Sequence, residues 1–185
     1  PRDDEVLWAG TEGGGVIVWD LERQTYTQHL FPQQAGLASN DVRDIAFDVG
    51  GDAWLATPRG VTLAPAQGPW RTYGLDDGLP SLDLTAVAVD DDGTVWAGAY
   101  DATVASLAPG EGAWTVHDVD PFIEGDDDSP REGPGSARVA DIAVGPDGRV
   151  WLAHGTQDVD KPAVSVFDPA DGAWHHIGAT NPLEP

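Results

Sequence analysis

A tryptophan recurs along this chain inside nearly the same phrase: VLWAGT around Trp8, AWLAT around Trp54, VWAGA around Trp96 and VWLAH around Trp151. The spacings are 46, 42 and 55 residues. A period of this size constrains the fold more than any single motif does. One such unit cannot bury a core alone and must stack on its neighbours. Three of the four tryptophans follow a second shared phrase, DIAFDVGGD, AVAVDDDGT or DIAVGPDGR. Each is followed, 16 to 23 residues later, by another aromatic: Tyr26, Trp70, Trp114 and Trp174. Trp19 is the extra tryptophan, outside this register.

Between these landmarks lie apolar runs of four to six residues, rich in β-branched and aromatic side chains and separated by Gly, Pro and Asp turns. Such runs predict strands. With the strands of a repeat named A to D, repeat 2 is predicted at 42–47, 53–57, 61–64 and 70–73. Repeat 3 falls at 84–89, 95–99, 103–107 and 114–117, and repeat 4 at 139–144, 150–154, 163–167 and 174–177. Repeat 1 has B (6–10), C (16–19) and D (25–30) but no A, giving 15 strands in all. No segment has a helical period.

Four-stranded units of about 40–45 residues are the signature of β-propeller blades. The predicted class is therefore all-β, a propeller of four-stranded antiparallel blades with repeats at about 1–40, 41–81, 82–136 and 137–185. Both faces of a blade pack on neighbours, which accounts for strands that are apolar on both sides. Small residues at Ala46, Ala88 and Ala143, and at Ala56, Ala97 and Ala153, let inner strands converge. The recurrent aromatics then act as wedges between blades. A missing first strand leaves one blade open, so the expectation is part of a larger ring, covered by remaining blades or a second copy, with closure of four blades around a defective first blade as the alternative.

Composition narrows the partners. The net charge is −23, with Lys161 the only lysine beside eight arginines, which disfavours nucleic acid and anionic membranes. The chain has no Cys, which removes disulfides and thiolate metal sites. It has no Met, which predicts a trimmed start. No apolar run approaches the ~18 residues of a membrane span.

Residues 41–81, with V-x-D-I-A-x-D-x-x-G-x-x-W-L-A-T-x-x-G-V, then W-x-x-Y and D-G-L-P-S, resemble the two-component regulator propeller repeat. Repeat 1 matches it in VLWAGTEGGGV and AGLAS; repeats 3 and 4 depart after strand B, in AYDATV and HGTQDVDKPAV. The resemblance implies the extracytoplasmic sensing part of a hybrid histidine kinase, or a related secreted protein, in a periplasmic or extracellular location. Repeat 4, in GPDGRVWLA and VSVFDPADGAW, also faintly resembles streptogramin-lyase-type propeller repeats, though their His and Glu set has no counterpart here.

Strand order places A–B and C–D turns at one end of the blades, and B–C loops with D-to-A linkers at the other. The first set is short and rich in Asp and Gly, as tight hairpins require. A calcium site at Asp90–Asp92 is an alternative, but it lacks the ligand number and spacing of an oxygen cage. The second end carries the large insertions: 117–137, with seven acidic residues, and 154–162. Long loops grouped on one face of a rigid scaffold are where binding resides. The predicted recognition rim is Glu124, Asp126, Asp127, Asp128, Arg131, His154, Asp158 and Lys161.

The five histidines are His29, His117, His154, His175 and His176. His175 and His176 alternate across a strand and cannot easily share a metal. His29 and His117 end outer strands, so exposure to solvent is expected, and only His154 is placed on the loop face. No nucleophile motif, phosphate loop or H-E-x-x-H is present. The expected function is thus a non-catalytic sensor or interaction module that binds a small molecule, an oligosaccharide or a protein, with no cofactor. The alternatives are a lyase or glycan-processing enzyme using Asp44 and Asp141, and a structural repeat of a secreted or surface protein.

Overall fold

The computed structural model describes residues 6–117, 138–155 and 163–177. These form four antiparallel sheets, each a meander in which consecutive strands pair. Blade 1 holds β1 (Val6–Gly10), β2 (Val16–Asp20) and β3 (Thr25–His29). Blade 2 holds β4 (Asp44–Phe47), β5 (Ala53–Thr57), β6 (Gly60–Ala64) and β7 (Arg71–Tyr73). Blade 3 holds β8 (Leu84–Val89), β9 (Val95–Ala99), β10 (Val104–Leu107) and β11 (Thr115–Val116). Blade 4 holds β12 (Val139–Val144), β13 (Val150–His154), β14 (Val164–Asp168) and β15 (Ala173–Ile177). This is an all-β propeller arrangement, with three strands of the first blade and four of each other blade among the described residues. A single 3-10 turn, Leu75–Asp77, interrupts the strands.

The predicted strand pattern holds, with small shifts that have visible causes. β4 starts at Asp44 because the Val42 N–H leaves its own sheet to donate to Thr11 O of blade 1, at 2.9 Å. β11 is only two residues long; just ahead of it the Trp114 N–H donates to Asp77 O of the preceding linker, at 2.8 Å.

Three apolar clusters lie between the blades, one at each junction. The alternation of side chains along strand B feeds two clusters at once. Ala53 and Leu55 face blade 1, whereas Trp54 and Ala56 face blade 3. Consequently β5 and β9 are buried at every position. Trp54 stacks on Tyr73 with ring centres 5.6 Å apart, and Trp96 meets Phe167 of blade 4 at 5.8 Å. The recurrent tryptophans are therefore wedges, as expected.

Two register assignments need correcting. Trp19 is not extra: on β2 it holds the position of Ala64, Leu107 and Phe167, which receive the wedge of the preceding blade. Those three are 1%, 5% and 5% exposed, whereas Trp19 is 44% exposed because no blade precedes it among the described residues. The small residue of β9 that admits the next blade is Gly98, not Ala97. A Cβ on Gly98 would lie 2.6 Å from Val139 Cγ1 of blade 4.

The A-G-L and D-G-L phrases of the linkers also have a physical reason. Gly36 and Gly78 adopt φ of 88° and 91°, the left-handed region that favours glycine. Each lies against the backbone carbonyl of the next D-strand aromatic, Trp70 or Trp114, where a Cβ would clash at 2.1 or 2.9 Å. The following Leu37 and Leu79 are buried at 2% and 3% exposure, which plugs each linker into a junction.

Candidate functional site

The D-to-A linkers and B–C loops meet at one end of the blades, as their order predicts. Gly15 N–H donates to Asn40 O at 2.8 Å, Gly60 N–H to Leu82 O at 2.9 Å, and Tyr100 N–H to Asp83 O at 2.9 Å. At this end the inner strands leave a cleft of about 530 Å3. Its wall draws on all four blades: Glu12 from the blade 1 loop, Asp41 and Arg43 entering blade 2, Thr85 and Tyr100 from blade 3, and Arg138 entering blade 4.

A repeated irregularity shapes this wall. Blade 3 has a bulge between Leu84 and Ala86, and blade 4 one between Val139 and Asp141, so Thr85 and Ala140 have no cross-strand partner. Arg43 is their equivalent: its N–H donates to Ala56 O, opposite Asp44, at 2.9 Å. A bulge re-aims the side chain it carries, and all three of these residues line the cleft. Thr85 also ties blades 3 and 4 together by donating its hydroxyl to Val139 O.

The charges of the cleft are unevenly matched. Arg43 donates to Asp83 Oδ1 at 2.7 Å and to Leu84 O at 2.9 Å, with Asp41 3.7 Å from its Nε. Arg138 has no carboxylate within 4.0 Å among the described residues; its guanidinium lies 5.7 Å from the centre of the Tyr100 ring. Glu12 likewise has no cationic partner among the described residues.

The repeated aspartates lie just beyond the bulge. Asp44 accepts from the Ile45 N–H at 2.8 Å and from the Val87 N–H of blade 3 at 2.8 Å. Asp141 accepts from the Ile142 N–H at 2.9 Å. Their work is to satisfy backbone donors on the unpaired edge of the inner strands. Burial pushes the Asp44 carboxyl up, while its two backbone bonds and the distant Asp141 charge act in opposite directions. Both side chains have structural partners that an enzyme reading would have to break.

Of the predicted rim, only His154 falls within the described residues; Glu124, Asp126, Asp127, Asp128, Arg131, Asp158 and Lys161 lie outside them. His154 ends β13 with 8% exposure, Nε2 2.7 Å from Ser165 Oγ and Nδ1 3.3 Å from Arg138 O. Burial depresses its pKa, an effect the Arg138 carbonyl opposes and the charge of His176 reinforces. His117 is also more enclosed than its place at a strand end suggests. It lies 2.7 Å from Ser106 Oγ and 4.9 Å from both the Trp96 and Phe167 rings, and burial lowers its pKa. His29 is half-buried beside Trp70.

The opposite end is acidic. A second cleft of about 500 Å3 lies there between blades 3 and 4, beside Asp90, Asp92, Asp147 and Asp168. Asp90 accepts from the Thr94 N–H at 2.8 Å and the Trp96 Nε1–H at 3.2 Å, and Asp92 from the Thr94 hydroxyl at 2.9 Å. These carboxylates close the turn, and among the described residues no three acidic or histidine side chains are grouped to hold a metal.

The residues of the first cleft were not assigned a role from the sequence. The available signal was weak: Arg43, Thr85 and Ala140 hold one register position ahead of the repeated Asp, and Asp41, Asp83 and Arg138 another.

No family model matches the chain, and no curated protein matches it. Solved structures do. The extracellular domain of the putative hybrid two-component system BT3049 from B. thetaiotaomicron superposes with a TM-score of 0.72 at 18% identity, over 94% of this chain. The WD40 repeats of RRP9 give 0.71 at 14% identity over 94%, and virginiamycin B lyase from Staphylococcus aureus 0.70 at 13% over 98%. The chain spans 22%, 48% and 55% of those three structures. At these identities the likeness establishes the fold: a run of β-propeller blades, common to the extracellular domain of a two-component system, WD40 repeats and a lyase.

Proposed function

We propose that this chain is a non-catalytic sensing or interaction module that binds a ligand or protein partner at the B–C loop end of its blades. The observation that carries this reading is the cleft whose wall comes from all four blades. A solute held there touches every blade, so its binding energy is coupled to how the blades are arranged. That is the property a sensor needs. The two long insertions of the sequence, which lie outside the described residues, fit it, since the strands that flank them, β11 with β12 and β13 with β14, meet the chain at the same end. An extracytoplasmic location and a signalling role are part of this proposal. They are supported by the repeat phrase of residues 41–81 and by the extracellular domains of two-component and one-component systems among the structural neighbours.

The test is a thermal-shift screen of the chain against small solutes and peptides, repeated on two variants. Stabilising hits are expected to lose their effect in Tyr100→Ala, at the loop end, and to keep it in Asp147→Ala, at the acidic end. Hits that respond only to Asp147→Ala would move the binding face to the other end and overturn the reading.

A further inference from the structure

We propose that the four-blade cleft takes a small zwitterion of amino-acid type, with its carboxylate on Arg138, its ammonium on Glu12 and its apolar body along Tyr100. This deepens the binding reading above and rests on it. The argument starts from what the cleft leaves unmatched. Arg43 is already held by Asp83, the Leu84 carbonyl and, more loosely, Asp41. What remains, among the described residues, is one cation without a carboxylate partner, Arg138, and one anion without a cationic partner, Glu12, in the wall of the same cavity. They come from blades 4 and 1 and form no ion pair with each other within 4.0 Å.

Each charge suits one half of such a ligand. Arg138 Cζ lies over the Tyr100 ring, 5.7 Å from its centre, and with no carboxylate within 4.0 Å among the described residues its N–H fork is left for the carboxylate of a ligand. Tyr100 itself is 55% exposed and offers a ring face beside that fork. Val42 and Ala140 extend the apolar wall. A volume of about 530 Å3 suits a small molecule rather than a polymer segment.

The field of the whole protein selects further. At a net charge of −23, simple anions are repelled before they arrive. A simple cation is attracted but finds Arg138 in the way. A zwitterion carries no net charge, so it escapes the first penalty and satisfies both groups.

The probe is L-phenylalanine, measured by isothermal titration calorimetry at low ionic strength. It is compared with 3-phenylpropanoate, which lacks the ammonium, and phenethylamine, which lacks the carboxylate. L-phenylalanine is expected to bind with 1:1 stoichiometry, at least tenfold tighter than either half. Arg138→Gln and Glu12→Gln should each weaken it at least tenfold. Glu12→Gln should not weaken 3-phenylpropanoate and should tighten it if anything, since it removes a like charge from the cavity, while Arg138→Gln removes its binding. Unliganded melting curves of both variants should match the parent, since both side chains lack charged partners. Equal affinity for the amino acid and either half, or indifference to Arg138→Gln, would overturn the proposal. If L-phenylalanine is silent while other solutes still stabilise the chain through Tyr100, the zwitterion is wrong and the binding face stands. If no solute depends on Tyr100, both fail.

Discussion

At the residue scale, the histidines show how burial and position separate. His117 and His154 sit at strand ends, where sequence alone suggests contact with solvent. Each is instead tucked against a serine hydroxyl on the neighbouring strand, Ser106 or Ser165. The signal was a diagonal match, since Ser106 and Ser165 stand on the C strands two residues along from Val104 and Ala163, which accept from the His117 and His154 N–H groups, and such a match is not visible in one strand alone. Burial holds both imidazoles below their ordinary pKa. A depressed histidine contributes stability that is present above its unfolded pKa of about 6.5 and is lost as pH falls through the folded value. The unfolding midpoint should therefore fall between pH 7.5 and pH 5. A His117→Gln, His154→Gln double variant, which has no imidazole to protonate at these sites, should show a flatter profile. Circular-dichroism melts at half-unit pH steps check this. Equal slopes in parent and variant would mean that the two rings are hydrated enough to titrate normally.

At the element scale, the strands were legible because their cues are local. β-branched runs and Asp-Gly turns fix where β5, β8, β9, β12 and β13 begin and end without reference to any neighbour. The cleft was not legible, because Glu12, Arg43, Tyr100 and Arg138 are brought together only when four sheets stand side by side. The same limit explains the slip from Gly98 to Ala97. Both are small, and only the inward parity of β9 against β12 decides which one matters. Gly98 admits Val139 and Ile142 of the next inner strand, with no room for a Cβ. Gly98→Val should therefore push blades 3 and 4 apart and cost about 1–3 kcal/mol, the usual range for overpacking. Ala97→Gly, by comparison, removes a methyl from the opposite junction and should be the milder change. Urea unfolding of both variants compares them; the reverse order would mean that the two junctions have been assigned the wrong way round.

At the scale of the whole molecule, the three junctions among the described residues share one arrangement: the strand B tryptophan of one blade joins the apolar cluster that holds the strand C residue of the next, Trp8 with Ala64, Trp54 with Leu107 and Trp96 with Phe167. Trp54 and Trp96 are 7% and 3% exposed because a receiving blade is present. Trp151 holds the same position on blade 4 yet is 36% exposed, since no blade follows among the described residues. The converse face is on blade 1, where Leu7, Trp19 and Tyr26 form a cross-strand row that receives no wedge. The two ends of the arc thus carry the two halves of one junction. This gives a comparison internal to the protein. Trp96→Ala should cost about 3–5 kcal/mol, as for a fully buried indole. Trp151→Ala should cost less than half as much in a monomer, because much of its ring already meets water. Denaturant titrations at several protein concentrations separate the cases. If the two substitutions prove equally costly, the blade 4 face is covered in solution. A cost for Trp151 that grows with protein concentration would then identify a second copy as the cover. A cost independent of concentration would place the cover within the same chain.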